Sequence, residues 1–488
     1  MHKVSMRWFR SLIYARGRQQ SHAGDWTTAN PSHSGRPMAI LFVIVALLLT
    51  QSGSRQAQHR SSEIRRLRPA ELPNTPLLIG YWHNFVNGAG FIRLADVSSQ
   101  FDVVDIAFGI PVSGSTSTIG FTVDSPEPES QFIADVGTLH SRGQAIVLSI
   151  GGASGIVQLN TAADVQNFVS SVSSIISKFG FDGIDIDFEG GSLTLIAGDG
   201  DFKNPATPAI VNLISALHQL KTQFGPGFVV SMAPETFFVQ AGLRGYGGQQ
   251  GVYLPVIYGI RDILSYVHVQ NYNTGTRVAL DGKTYREGTS DFHVAMTEML
   301  LQGFPVAGNS SSVFPALQPA QVAFGVPASP SATGSGFTSN ADLVNALTYL
   351  IQGKPFGGQY VLRNPAGYPG LRGLMIWSIN WDVAGGFSLS TSVGAFLHAI
   401  GAGSQNPVIT GATGVGKTLI VTGSGFDQGA VITVNQQDQR TLNDDASPTT
   451  TLLGPKLIKR AHIARGDTVS IQVRDSTGAL SNVVQFTR

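Results

Sequence analysis

The sequence contains no cysteine among its 488 residues. This absence excludes disulfides, thiolate catalysis and cysteine-based zinc sites. Charged residues are also scarce, at 13%, and they almost cancel to a formal net charge of +1. A chain without a basic excess gives no reason to expect nucleic acid as a partner. The remainder, with 42% hydrophobic residues, 57 glycines and 24 prolines, predicts a globular protein with many turns and two or three domains.

The first 70 residues differ from the rest of the chain. An apolar run covers Met38–Leu49, and it follows six basic residues: Lys3, Arg7, Arg10, Arg16, Arg18 and Arg36. A membrane-spanning helix needs about 20 apolar residues, so this shorter run is typical of the apolar region of a signal peptide. We therefore expect secretion, with residues 38–50 as the signal and a cleavage region at Ser52–Ser54; an uncleaved membrane anchor is the alternative. The polar, basic segment Gln56–Arg68 predicts a linker.

The middle of the chain alternates short β-branched runs with amphipathic stretches. Eight such runs occur: Leu77–Trp82, Val103–Phe108, Ala145–Ser149, Gly183–Phe188, Val229–Ala233, Val267–Asn271, Val322–Pro327 and Gly373–Trp377. Helical periodicity lies between several of them, as in Ala163–Phe179, Ala209–Phe224 and Asn340–Ile351. This rhythm predicts an α/β fold, a (β/α)8 TIM barrel over residues 75–400, with a doubly wound open sheet as the main rival.

Polar and aromatic residues cluster where these runs end. Trp82, Ser149, Asp187, Glu189, Glu235, Tyr272, Asn273 and Trp377 all occupy such positions. The carboxyl ends of barrel strands form the active face of this fold. Flat aromatic side chains at that face suit the apolar faces of sugar rings, although they are also suited simply to filling the top of a barrel.

The fourth run is unusually acidic. Its residues alternate in direction, so Asp185, Asp187 and Glu189 share one face while Ile184 and Ile186 share the other. The apolar face must pack against helices, and the three carboxyl groups must then point into the barrel. Like charges at close range raise at least one pKa, which favours a protonated carboxyl group able to act as a general acid. A divalent-metal site and a purely structural network remain the two alternatives.

The acidic segment resembles the signature of a known family. Asp182-Gly-Ile-Asp185-Ile-Asp187-Phe-Glu189 is similar to the DxxDxDxE motif of glycoside hydrolase family 18, the chitinase family. Ser149-Ile-Gly151-Gly152 is similar to that family's SxGG motif. Four further landmarks follow the family's order: Tyr81-Trp82, Met232-Ala-Pro-Glu235, Gln270-Asn-Tyr272-Asn273 and Trp377. The resemblance covers about residues 77–399.

The resemblance implies a substrate-assisted mechanism for hydrolysis of β-1,4 bonds between N-acetylglucosamine units. Glu189 would protonate the glycosidic oxygen, and the sugar's own 2-acetamido carbonyl would attack the anomeric carbon. Asp187 would stabilise the resulting cation and Asp185 would share a proton with Asp187. Tyr272 would hold the acetamide oxygen, so these four residues form the predicted catalytic set.

The family motifs also imply the supporting residues. Those expected to contact substrate are Trp377, Tyr81, Trp82, Met232, Glu235, Gln270 and Asn273. Those expected to be structural are Asp182, Ser149, Gly151 and Gly152; the parity of Asp182 also points it away from the other acids. No metal or cofactor is implied. Many members have Asp at the position of Asn273, which puts that residue's detailed role in doubt. The short connection between the seventh and eighth runs predicts an open groove and endo-type cleavage.

The C-terminal segment, residues 406–488, contains a misleading motif. Gly411-Ala-Thr-Gly-Val-Gly416-Lys417-Thr418 fits the phosphate-binding pattern GxxxxGK[ST]. Such a loop must lead into a helix, whereas Leu419–Phe426 is β-branched and interrupted by glycine, so we expect no nucleotide site. The alternating runs predict a small all-β immunoglobulin-like sandwich. Leu419–Phe426 resembles the IPT/TIG modules, and without Trp or Tyr this domain is expected to be a spacer rather than a polysaccharide binder.

Two competing functions remain open. An endo-β-N-acetylglucosaminidase acting on glycoprotein glycans uses the same motif and mechanism. A non-catalytic chitin-binding lectin is the alternative from another class, although such proteins typically lose the acid that this chain keeps as Glu189. We expect a monomer whose partner is chitin or chito-oligosaccharides.

Overall fold

The computed structural model describes residues 72–73, 76–124, 126–404, 407–426, 429–444, 447, 450–475 and 479–488. The predicted signal or anchor at 38–50 and the linker after it lie outside the described residues, so both stay predictions. Within the described ranges, no helix is long and apolar enough to cross a membrane.

Eight parallel strands form a closed barrel, because the first strand pairs with the second on one side and with the eighth on the other. The strands are β1 (Leu77–His83), β2 (Val103–Pro111), β3 (Ala145–Gly151), β4 (Gly183–Asp187), β5 (Val229–Met232), β6 (Tyr266–Gln270), β7 (Val322–Pro327) and β8 (Gly373–Trp377). All eight predicted runs are barrel strands, and the predicted TIM barrel is confirmed over the open sheet.

Helices cover the outside of the barrel. They are α1 (Glu129–Ser141), α2 (Ala162–Phe179), α3 (Pro208–Phe224), α4 (Leu254–Ile260), α5 (Ser290–Gln302), α6 (Asn340–Gln352), α7 (Ile379–Ala384) and α8 (Ala395–Ser404). Between β1 and β2 the ordered helical element is a single 3-10 turn, Leu94–Asp96. Minor strands lie in the loops: Ile119–Gly120 against β2, Thr276–Val278 with Thr284–Arg286, and Phe304–Val306 with Asn309–Phe314.

Alternation along the strands separates two hydrophobic layers. Leu77, Ile79 and Tyr81 of β1 face the barrel interior, where they pack with residues such as Val147 and Met375. The intervening residues of the same strands pack outward against the helices in a much larger cluster. The barrel is therefore a filled core, and its strands can deliver polar groups only inward or at their ends.

The residues before β4 fix where its acids lie. Helix α2 begins with a capping box, in which Thr161 and Asp164 satisfy each other's backbone amides. It ends at Gly180, whose φ of 75° is the left-handed conformation that glycine adopts without a steric cost. The Gly180 amide bonds to the carbonyl of Ile176, and the chain then turns directly into β4. The local sequence thus determines where the acidic strand begins.

The connection from β7 to β8 is compact, as its length predicts. Residues 328–372 are all described, and they contain helix α6 with loops on either side and no additional strand.

Among its described residues, the C-terminal segment is all-β apart from one helical turn at Leu457–Arg460. Two four-stranded antiparallel sheets are formed by Val408–Val415, Thr418–Ser424, Leu442–Asn443 and Thr451–Gly454, and by Val431–Val434, Gln437–Asp438, Thr468–Arg474 and Val484–Thr487. They enclose their own core, which includes Leu419, Ile432, Leu452, Ile471 and Phe486. The predicted small all-β fold is confirmed, whereas the boundary at 400–406 remains a prediction.

The phosphate-loop-like motif lies on a β-hairpin. Val408–Val415 pairs antiparallel with Thr418–Ser424, and Gly416-Lys417 form the two-residue turn between them. Gly416 has a φ of 63°, which suits a tight hairpin turn. Thr418 begins a strand, so this turn lacks the helix N-terminus that a phosphate-binding loop requires.

Asp182 provides a test of how β4 is held. Its Oδ2 atom accepts a hydrogen bond from the Ile146 amide at 2.8 Å and contacts His140 Nε2 at 2.9 Å. Asp182→Ala leaves a buried amide without a partner, so we expect a loss of about 1–3 kcal/mol in the free energy of unfolding. Denaturant titration measures it. Asp262→Ala, at an exposed site, is the control and should change stability by less than about 0.5 kcal/mol; equal losses in both variants would contradict the structural role.

Candidate active site

A cavity of about 570 Å³ opens at the carboxyl ends of the barrel strands. Its lining combines carboxyl groups, amides and aromatic rings: Tyr81, Phe85, Phe108, Ile110, Gly151, Ala153, Ser154, Asp187, Glu189, Glu235, Gln270, Tyr272, Asn273, Ala332, Thr333 and Trp377. Ligand pockets of this size typically surround a few polar groups with apolar walls.

The three acids of β4 point inward, as their alternation predicts. Asp185 is completely buried, Asp187 is 3% exposed, and Glu189 lies just beyond the strand at the edge of the cavity. Ile184 and Ile186 point outward into the layer beneath the helices. The acids therefore form a ladder that rises from the barrel core to its mouth.

Asp185 is saturated with hydrogen-bond donors. Its Oδ2 atom accepts from Tyr81 Oη at 2.6 Å and from Ser149 Oγ at 2.8 Å. Its Oδ1 atom accepts from Ser231 Oγ at 2.9 Å and contacts His268 Nε2 at 3.0 Å. Burial alone would raise the pKa of Asp185, but His268 and the hydrogen bonds outweigh it and lower that pKa. This carboxyl group is consequently an anion.

Asp187 and Glu189 behave in the opposite way. Burial, and then the neighbouring charges of Glu189 and Asp185, raise the pKa of Asp187 well above its usual range. Burial also raises the pKa of Glu189, against hydrogen bonds from Gln270 and Asp187 that lower it. Asp187 and Glu189 are hydrogen-bonded to each other, so their titrations depend on one another. Because both pKa values are raised, the pair holds a proton more tightly than two isolated carboxyl groups would.

Gln270 contacts both carboxyl groups of this pair. Its Nε2 atom lies 2.9 Å from Asp187 Oδ1 and 3.1 Å from Glu189 Oε1, and it also donates to the carbonyl of Ala233 at 3.0 Å. This position orients both carboxyl groups from β6. Gln270 was predicted to contact substrate, and it does line the cavity as well.

Aromatic rings form the apolar part of the cavity. The Trp377 ring packs against Tyr81 at 5.4 Å between centroids and against Phe108 at 5.9 Å. Tyr272 is 6% exposed, and burial followed by the charges of Asp187 and Glu189 raises the pKa of its hydroxyl well above 10. The hydroxyl therefore stays protonated and can donate a hydrogen bond to a ligand.

Glu235 and Asn273 lie nearer the mouth. Burial and the charge of Glu189 raise the pKa of Glu235, while Arg277 lowers it. Asn273 is exposed and adopts a φ of 52°, a left-handed conformation that Asn tolerates better than most residues. Its Oδ1 atom accepts from the Ser335 amide at 3.1 Å, so Asn273 holds the neighbouring loop as well as lining the cavity.

The glycines of the SxGG-like segment allow close packing beneath the acids. Gly152 donates its amide to the carbonyl of Asp187 at 2.8 Å. A Cβ atom on Gly151 would lie 2.3 Å from that carbonyl, and one on Gly152 would lie 2.8 Å from the Phe108 ring. Both have positive φ values, of 116° and 70°, so these two positions require glycine for space and for conformation.

Two residues predicted to bind substrate do not reach the cavity. Trp82 and Met232 are both fully buried in the layer between barrel and helices. Trp82 donates its indole N–H to the Ile92 carbonyl and packs near Phe132. The prediction was wrong because Tyr81 and Ser231, their neighbours on β1 and β5, take the inward direction, and alternation turns Trp82 and Met232 outward.

Several inward-facing residues below the strand ends were not predicted from the sequence. Ser231 and His268 contact Asp185, and Asp105 of β2 lies 4.0 Å from His268. Parity along the strands would have found them, since Tyr266, His268 and Gln270 alternate on β6 and Tyr272 follows the strand at the same spacing. Phe85 and Phe108 were also missed as cavity residues.

Among the described residues, Asp105, Asp185 and His268 are the group spaced closely enough to hold a metal ion, with their ligand atoms within 4.8 Å of one another. His268 Nε2 and Asp185 Oδ1 instead lie at hydrogen-bond distance from each other, 3.0 Å. All three residues are completely buried. The donor set therefore fits a proton-sharing network better than an ion site.

A barrel with an acid ladder beside an aromatic-lined cavity has the architecture of a sugar-cleaving enzyme. The family model for glycosyl hydrolases family 18 matches residues 77–346. The chain belongs to this family.

Named relatives are similar over the same region. Chitinase Chi52 of Paenibacillus xylanexedens is 48% identical over 69% of this chain and 64% of its own length. Chitinase D of Niallia circulans is 49% identical over 68% of this chain and 63% of its own. The chain thus spans just under two thirds of these relatives. A solved family GH18 chitinase from Chromobacterium violaceum matches with a TM-score of 0.61 and 42% identity, over 66% of this chain and 83% of that one.

The opposite pKa shifts of Asp187 and Asp185 predict opposite effects on stability. Folding raises the pKa of Asp187, so the contribution of this group to the free energy of unfolding is fully present below about pH 4. That contribution is lost as the pH rises through the raised pKa. Asp187→Asn removes that loss. We expect the melting temperature of this variant, relative to wild type, to increase from pH 4 to pH 8 by about 2 °C or more.

Asp185→Asn is the matched comparison on the same strand. Folding lowers the pKa of Asp185, so the contribution of this group to the free energy of unfolding is fully present above about pH 4. That contribution disappears as the pH falls through the lowered pKa. This variant should melt below wild type at pH 8, with the deficit shrinking toward acid. Calorimetric melts between about pH 2 and pH 8 measure both, since the change expected for Asp185→Asn lies below about pH 4. A change of the same sign with pH in both variants would contradict the assignment.

Proposed function

We propose that this protein is a chitinase that hydrolyses β-1,4 bonds between N-acetylglucosamine units with retention of configuration. The observation that carries the proposal is the adjacency of Asp187 and Glu189, linked by Gln270, beside Tyr272 and Trp377 in one cavity. Membership of the family and the similarity to chitinases of other bacteria support the same substrate.

Glu189 is the proposed general acid and base. Its raised pKa keeps a proton available at the cavity edge, where a glycosidic oxygen can reach it. Proton transfer to that oxygen accompanies cleavage of the bond between it and the anomeric carbon. The ionised Glu189 then takes a proton from the attacking water, which restores the starting state.

The substrate supplies the nucleophile in this proposal. The carbonyl oxygen of the 2-acetamido group bonds to the anomeric carbon as the leaving group departs, giving a cyclic oxazolinium ion. Asp187 faces the developing positive charge, and the Tyr272 hydroxyl donates to the acetamide oxygen and aligns it. Trp377 provides the apolar floor beneath the ring. Water then opens the oxazolinium, and the acetamide is regenerated.

Asp185 has a supporting role. Its negative charge, held by four contacts, helps to keep the proton on the Asp187–Glu189 pair. Tyr81 and Ser149 are proposed to act through Asp185, whereas Glu235 and Asn273 are placed to contact sugar at the mouth. The compact link between β7 and β8 favours an open groove and cleavage within chains.

The two segments that flank the barrel are proposed to have roles outside catalysis. Residues 38–50 would direct secretion. The C-terminal segment would be an IPT/TIG-like spacer, supported by its two antiparallel sheets and by the lack of Trp and Tyr in residues 406–488. We propose that the protein acts as a monomer, without nucleotide or nucleic acid.

The substrate is tested with chromogenic chitobiose and chitotriose glycosides beside a high-mannose glycoprotein. Glu189→Gln should lower kcat/KM on the chito-oligosaccharides by about 1000-fold, because the amide cannot donate the proton. Binding of chitotetraose, measured by calorimetry, should be retained. Glu235→Gln is the control and should cost less than tenfold. Undiminished hydrolysis by Glu189→Gln would refute the mechanism, and release from the glycoprotein alone would indicate an endoglycosidase.

Substrate assistance makes a separate prediction about the sugar. Fully deacetylated glucosamine oligomers and cello-oligosaccharides lack the 2-acetamido group, so neither should be hydrolysed at a detectable rate. Product release is followed by chromatography next to N-acetylated oligomers of the same length. Cleavage of the cello-oligosaccharide would require a protein nucleophile in place of the acetamide.

A further inference from the structure

A second polar ladder lies on β6, which is separated from the acids of β4 by strand β5 alone. Strand β6 directs Tyr266, His268 and Gln270 inward, and Asp105 of β2 lies beside them. Gln270 faces Asp187 and Glu189, and one step lower His268 faces Asp185. Tyr266 and His268 are completely buried, and neither lines the cavity. These lower groups therefore act on a ligand only through the acids above them.

His268 differs from the other donors to Asp185. Tyr81, Ser149 and Ser231 present neutral hydroxyl groups, whose protons can rotate to another acceptor. The imidazole has its N–H fixed in the ring plane, and it is the one donor to Asp185 that can carry a positive charge. Asp185 as an anion can only accept, so Nε2 must be the donating atom in the 3.0 Å contact.

Asp105 completes the surroundings of His268. Its Oδ2 atom is 4.0 Å from His268 Nε2. Within the part of the chain that the structure describes, neither carboxyl oxygen has a hydrogen-bond partner, although Asp105 is completely buried. An unpaired carboxylate in such a place is very costly, so the neutral acid is favoured. Burial, followed by the charge of Asp185, raises the pKa of Asp105 well above its usual range. Asp105 is thus a neutral neighbour, and Asp185 carries the charge.

We propose that His268 is a positioning residue that fixes Asp185 as the permanent anion beneath the reacting acids. With Asp185 held ionised, the proton of the ladder stays with Asp187 and Glu189, one level higher. The kinetic consequence rests on the proposed hydrolysis of chito-oligosaccharides, whereas the hydrogen bond itself does not.

The groups that face Asp185 and His268 define what each variant changes. They are Tyr81 of β1, Asp105 of β2, Ser149 of β3, Asp187 of β4, Ser231 of β5 and Tyr266 of β6. None of the hydroxyl donors is altered by replacing His268. A change in the ionisation of Asp185 in such a variant therefore reports on the imidazole.

His268→Leu and His268→Gln form the kinetic test. Leu removes the donor, so the pKa of Asp185 should rise and the acid limb of the kcat/KM profile should move to higher pH by about one unit. We expect kcat to fall between about 10- and 100-fold through misplacement of the acids, with KM changed less than threefold because His268 does not touch the cavity. Gln offers an amide N–H at similar reach and should recover kcat to within about threefold.

Asp105→Asn tests whether the carboxyl group of Asp105 is uncharged. The amide matches a protonated carboxyl group in size and charge, so the acid limb should stay where it is. A shift of that limb would show that Asp105 carries charge and would overturn the assignment of the anion to Asp185. An unshifted acid limb with unchanged kcat in His268→Leu, or a Gln variant as impaired as Leu, would also overturn the proposal.

A direct readout separates this proposal from the proposed function. In protein labelled with ¹⁵N-histidine, the His268 ring resonances are those that disappear in His268→Gln. We expect Nε2 to bear a proton throughout pH 5–8. A deprotonated Nε2 would refute the positioning role whatever the enzyme hydrolyses. An inactive wild-type protein with a protonated Nε2 would refute the chitinase function and leave the positioning role standing, even if the Leu variant fails to fold.

Discussion

A carboxylate removed from water costs several kcal/mol unless its lone pairs are satisfied, and Asp185 has no exposed surface at all. Its stability in the barrel core therefore depends on donors from β1, β3, β5 and β6, at 2.6–3.0 Å. This requirement fixes the rotation and register of five strands relative to one another. The cavity above inherits that geometry, because Asp187 and Glu189 follow Asp185 on the same strand.

The pKa shifts of the three acids consequently differ with their depth in the barrel. At the bottom, burial would raise the pKa of Asp185, but His268 and the hydrogen bonds outweigh burial and lower it. One level up, burial and the two flanking acids raise the pKa of Asp187. At the mouth, Gln270 moderates the rise that burial imposes on Glu189. This order runs against burial, because Asp185, the most buried of the three acids, is the one that His268 and three hydroxyl donors contact.

Alternation along strands explains both what the sequence predicted and what it did not. The barrel and the inward direction of the β4 acids followed from runs of β-branched residues and from the spacing Asp185, Asp187, Glu189. Trp82 and Met232 were misplaced because proximity to a strand end was weighed above parity. His268 and Asp105 went unnoticed because they lie inside runs that otherwise look apolar. The pairing between distant strands, which brings Asp105 near His268, is set by barrel closure and is not visible in local spacing.

The closure of the barrel joins the two ends of the domain: Leu77 of β1 pairs with Gly373 of β8, about three hundred residues further along the chain. During synthesis, one edge of β1 stays unpaired until β8 and almost the entire domain have emerged. Folds with such distant contacts form slowly. Tyr81 and Trp377, which meet in the cavity, belong to these two strands. A growing chain therefore cannot assemble this cavity before its last barrel strand, Gly373–Trp377, is made.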